Sequence, residues 1–215
     1  MLQFVHGQRQ RLGQWLAASV GLQAQLRSGA AGFAPAAAAW LAEGTALFEA
    51  LGQQGRRAEL ARLESAFELA DRGIDVRTRS RVSSHRRTFT RAAAGAIFDS
   101  ALAEGRAALD EVEARVEAAR KTVGALLLQG LRLGVVDDAR LRASVTQEGA
   151  TATWRLLAGT EELRLAARQL LLEVVEADAA LLISAAARRL RSSHAPSRSP
   201  FTTAPATAGL ATAHS

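Results

Sequence analysis

The stretch Phe98–Leu133, FDSALAEGRAALDEVEARVEAARKTVGALLLQGLRL, decides the fold. Phe98, Leu102, Gly105, Leu109, Val112, Val116, Ala119, Val123, Leu126, Gly130 and Leu133 follow one another in steps of four and three. Five heptads pass without a polar interruption. A strict 3.5-residue repeat keeps one helix edge apolar, because a straight helix would drift by about 20° per heptad. Begun at residue 92, such a helix would be roughly 60 Å long at ~1.5 Å per residue. Glu111–Arg115 and Glu117–Lys121 stand at i, i+4 in the favoured order. The small residues Gly105, Ala119 and Gly130, with Ala101 and Ala108 beside the seam, favour a close-packed antiparallel hairpin over a free two-stranded zipper. The expected interaction seam is Phe98, Leu102, Leu109, Val112, Val116, Val123, Leu126 and Leu133.

Upstream, Pro35 is the only proline before Pro196. An internal proline costs a helix about 3 kcal/mol, so the proline-free stretch 36–195 suits long helices. Three shorter ones are expected, at about 3–27, 36–52 and 56–72. In the third, Leu60, Leu63, Phe67 and Ala70 recur at helical spacing, and Gly73 caps its end. Ile74, Val76, Thr78, Ser80 and Val82 then alternate with Asp75, Arg77, Arg79 and Arg81. That reads as extended chain, with a helix as the open alternative.

Downstream, the period changes to two. Leu141, Ala143 and Val145, then Ala152, Trp154 and Leu156, flank Gln147-Glu148-Gly149, which predicts a small β-hairpin at about 140–157. A helix rich in Thr is the other reading. A last long helix is expected at about 160–191, with Leu163, Ala167, Leu170, Val174, Ala177 and Leu181 as its seam. Residues 192–215 carry Ser, Thr, Pro and Ala without an acid, the composition of a disordered tail. The expected class is therefore all-α. Its organisation is N-terminal helices (1–72), an Arg-rich connector (73–89), a long antiparallel helical hairpin or coiled coil (90–191) and the tail (192–215).

Composition removes several function classes. The 215 residues contain no Cys and no Tyr, so thiol, disulfide and phenol chemistry are absent. The stretch 1–27 is interrupted by His6, Arg9, Arg11 and several Gln, which does not suit a secretory signal. Its acid-free, Ala-rich composition resembles an organelle transit segment, but a GC-rich bacterial genome accounts for the same bias. No apolar run reaches the 18 residues that a spanning helix needs. The expected location is the bacterial cytoplasm.

The net charge of +6 is unevenly spread. Arg72, Arg77, Arg79, Arg81, Arg86, Arg87 and Arg91 stand against Asp75 alone, whereas the stretch 92–178 is net acidic. Arg forks suit phosphate, so Arg77, Arg79, Arg81, Arg86 and Arg87 are the candidate anion or nucleic-acid ligands. Only Phe89 lies nearby, which gives base stacking little support.

No phosphate loop, dinucleotide fingerprint, nucleophile elbow or His-Glu-x-x-His pattern occurs. His6, His85, His194 and His214 have no gathering spacing. Asp110, Glu113 and Glu117 lie outside the seam, as solvated residues do. No catalytic residue, cofactor or metal is expected. The expected function is that of a non-enzymatic structural or adaptor protein in a larger assembly. Its partner would be another protein or itself, as a homo-oligomer. The alternative is a nucleic-acid binder using 72–91 and the tail. Peripheral membrane contact is not expected.

Overall fold

The computed structural model describes residues 5–82 and 86–194, and it is all-α. Eight α-helices occur among those residues: α1 Val5–Ser28, α2 Phe33–Ala50, α3 Gln54–Asp71, α4 Arg86–Arg132, α5 Asp138–Ala143, α6 Gln147–Gly159, α7 Arg164–Glu173 and α8 Glu176–His194. The 47-residue α4 is the spine, about 70 Å long at ~1.5 Å per residue. Helices α1 and α3 pack on its first half, and α6, α7 and α8 on its second. The disordered-tail expectation falls largely on 195–215, outside the described residues. Residues 192–194 belong to α8.

The ladder of α4 is filled by the chain's own helices. Phe98, Leu102, Val112, Val116, Ala119, Val123 and Leu126 are buried, Leu109 is half-buried, and Leu133 lies exposed just past the helix end. The two ladder glycines have specific neighbours. A Cβ on Gly105 would stand 2.4 Å from Trp15 Cζ3 and 2.8 Å from Leu16 Cδ2. One on Gly130 would stand 2.6 Å from Leu157 Cδ2. These glycines are notches for side chains from α1 and α6.

The antiparallel partner of the first half of α4 is α1. Gln8 accepts from Arg115, Arg9 pairs with Glu113, Trp15 lies on Gly105 and Leu26 on Gly95. Rising numbers in α1 meet falling numbers in α4. Trp15 also fits against Gly44 of α2, where a Cβ would be 2.5 Å from its ring.

The β-hairpin expected at 140–157 is replaced by α5 and α6. The Thr residues that suggested strands serve helices instead. Thr146 is an N-cap accepting from Gly149 N–H at 3.1 Å, and Thr151 donates back to the Gln147 carbonyl. Thr153 is buried and shares a 2.7 Å hydrogen bond with Ser144. Ala150, Thr153, Trp154 and Leu157 are the buried face of α6, a helical spacing visible once Thr153 counts as an inward residue. Gly149 permits the tight α5–α6 turn, because a Cβ there would lie 2.1 Å from the Ala143 carbonyl oxygen.

The single helix expected at 160–191 is also divided. Residues 161–163 form a 3-10 turn, and Val174 is extended (φ −134°, ψ 157°) between α7 and α8. Two adjacent β-branched residues, Val174 and Val175, lie at the break, where helix propensity is weak. The break resets the phase. Leu163, Ala167, Leu170 and Val174 are buried as expected, but Ala177 is exposed and Leu181 only half-buried. Ala179, Ala180, Leu182, Ile183 and Ala187 are buried in their place. The return along α4 is therefore made of α6, α7 and α8 rather than one antiparallel arm.

Candidate functional site

With the ladder buried, two surfaces stand out among the described residues. The first is on α7. Its Ala167 and Leu170 are buried, while Leu165 and Leu172, seven residues apart on the opposite side, are 72% and 76% exposed. At 3.6 residues per turn these two leucines share one face. Arg168 and Gln169 lie exposed between them in sequence. Leu128, near the end of α4, and Leu133, just past it, are also exposed. A single exposed Leu is ordinary, but a leucine pair on one face of a ten-residue helix is an unpartnered stripe.

The second surface is the connector between α3 and α4. Gly73 (φ +73°) ends α3, and the chain then folds on itself as a tight antiparallel loop. Ile74 bridges Arg81, Asp75 N–H donates to the Ser80 carbonyl, and Val82 N–H donates to the Gly73 carbonyl. The Asp75 carboxylate accepts from Arg77 N–H at 2.8 Å, an Asx turn, and Arg79 takes the left-handed region at φ +52°. The one acid of the segment is thus used to shape the turn. Arg77, Arg79 and Arg81 are exposed and form no ion pair within the described residues. Arg86 and Arg87 open α4, and their side chains lie outside the described ones.

Several arginines elsewhere hold the bundle. Arg56 forms a two-armed contact with Glu111 at 3.0 and 2.5 Å and comes within 3.6 Å of Glu104. The Glu111 hydrogen bond raises the Arg56 pKa, and the same bond holds the Glu111 carboxyl below its ordinary value. Arg91 reaches from α4 to the carbonyls of Leu26 and Arg27, capping the C-terminus of α1.

Sequence reasoning missed Asp178. Its carboxylate is fully buried and accepts from Val5 N–H at 2.7 Å and His6 N–H at 3.4 Å, and it lies 2.7 Å from His6 Nδ1. It stands in the first turn of α8 and receives the first amides of α1, so two helix N-termini meet at one carboxylate. Their like partial positive charges are what an anion there offsets. The available signal was weak: Asp178 follows Glu176 by two residues and stands directly before the apolar run Ala179 to Ile183.

No group of three or more potential metal ligands occurs among the described residues. No described helix is long and apolar enough to cross a membrane. No family model, characterised protein or solved structure matches the chain.

Proposed function

We propose that the chain is a non-enzymatic helical adaptor that docks through the outer face of α7, with a second copy of itself as the first partner. The observation that carries this reading is the pair Leu165 and Leu172, each more than 70% exposed on a helix whose other face is core. The α4 ladder is already occupied by α1 and the return helices, so docking falls to a surface that the chain leaves open. Apolar area gains about 25 cal/mol per Å² when covered, so such a stripe stabilises any contact that removes it from water. Sedimentation velocity tests the proposal. The intact protein should self-associate, and Leu165→Glu with Leu172→Glu should sediment as a monomer with unchanged helix content. Identical sedimentation of the two proteins would refute it.

A second reading rests on a different observation. Arg77, Arg79 and Arg81 are exposed and without an ion pair among the described residues, on a loop held in shape by Asp75. This supports contact with the phosphates of a nucleic acid. Binding would weaken steeply with salt. Replacing the three arginines by Ala would reduce the slope of log K against log salt by about 2–3, near 0.9 per phosphate contact.

A further inference from the structure

We infer that the cavity where α1, α2, α3 and α4 converge is a binding site for a small protonated amine with an apolar body. The reading is independent of the α7 stripe. The cavity measures about 550 Å³, within the size range of small-ligand pockets. Its apolar wall is Leu26, Phe33, Phe67 and Ala94, with the Phe33 and Phe67 rings edge to face at 6.2 Å.

Gln25, Asp71 and Thr90 offer acceptor oxygens to the cavity, against the guanidinium of Arg91. Gln25 Oε1 is buried and has no hydrogen-bond partner, a costly state that a ligand N–H would relieve. Asp71 also lines the cavity and forms no ion pair among the described residues. It is the last residue of α3, the end where the helix dipole disfavours a carboxylate. The carboxylate at that end of a helix calls for a cation and the unmet acceptor in the same cavity for an N–H donor, and a protonated amine supplies both. Thr90 donates its hydroxyl to the Ala70 carbonyl, which leaves its oxygen as another acceptor.

The one cation in the wall, Arg91, is turned to the carbonyls of Leu26 and Arg27. The exposed arginines of the connector set a long-range field that opposes a cation. Recognition must therefore come from direct contact in the cavity rather than from steering. An aromatic wall also suits a cation and its apolar body.

The test is an amide NMR titration of the full chain with 2-phenylethylamine, and separately with phenylacetate. The amine should give saturable shifts at Ala31, Ala34 and Ala94 with millimolar or tighter affinity, as suits so small a probe. Phenylacetate should leave those amides in place. Asp71→Asn, at an exposed position, should weaken the amine about tenfold, the scale of one lost charge-assisted hydrogen bond. Gln25→Leu should weaken it as well. Absence of saturable shifts, equal binding of phenylacetate, or an unchanged affinity in Asp71→Asn would each overturn the inference.

Discussion

Trp15 and Trp40 exchange hydrogen bonds, each indole N–H donating to the other residue's backbone carbonyl at 2.9 Å. Their rings stack 4.4 Å apart and within 4° of parallel, joining α1 to α2. Phe48 meets Trp15 edge-on, and Phe98 of the α4 ladder lies against Trp40. The pair therefore connects the N-terminal helices to the spine. Trp40→Phe keeps most of the ring but loses one hydrogen bond, for about 1–2 kcal/mol. Trp15→Ala should cost about 3–5 kcal/mol, the range for emptying a large aromatic site. Urea unfolding of the two variants checks both the order and the size.

The notch at Gly105 gives a sharper test, because a matched control lies on the same helix. Gly105→Ala drives a methyl into Trp15 and Leu16, and overpacking of that kind costs about 1–3 kcal/mol. Gly124→Ala has nothing within 4 Å of the new Cβ and should stabilise by about 0.5–1 kcal/mol through helix propensity. Opposite shifts in urea midpoint are expected. Two shifts of one sign would mean that Trp15 does not occupy the notch.

Asp178 is expected to matter more than any surface charge. Asp178→Ala leaves the Val5 and His6 amides without their acceptor and should cost about 2–4 kcal/mol. The loss should be local in exchange experiments, with the first turn of α1 opening well before Trp15. His6→Ala, which retains both backbone bonds to Asp178, should cost less.

The Arg56–Glu111 contact carries a pH signature. The Glu111 carboxyl is held below its unfolded value, so its contribution is complete above the unfolded pKa and disappears as pH falls through the lower, folded one. The side chain is largely exposed, so the effect is small. Glu111→Gln should lower stability slightly at neutral pH and not at all in strong acid. Stability curves from neutral to acid for both proteins read this directly.

Much of this architecture was legible in advance because α4 repeats one rule for five heptads. The ladder from Phe98 to Leu126 is buried almost throughout, and the small residues Gly105 and Gly130 mark close neighbours. The region after Asp137 was harder, since Thr and Ser act there through hydroxyl bonds. Thr146 as a cap and Thr153 as a buried partner of Ser144 look like strand residues when judged by propensity alone. The break at Val174 was hidden because the seam holds its phase up to that residue and shifts only after it. Of the candidate sites, the connector arginines could be named from charge, but the shape that Asp75 gives them could not. The Leu165–Leu172 stripe was masked by the broad apolar character of the whole segment. The cavity draws Gln25 and Asp71 together from helices that no spacing rule connects.

The central claim is that the 4-3 ladder of α4 is satisfied within one chain, leaving α7 to meet partners. Amide hydrogen exchange along α4, followed through a wide dilution series, tests it most directly. The account predicts that protection from Phe98 to Leu126 stays constant while the α7 amides change with concentration. Protection of the ladder that falls on dilution would show that another chain fills it.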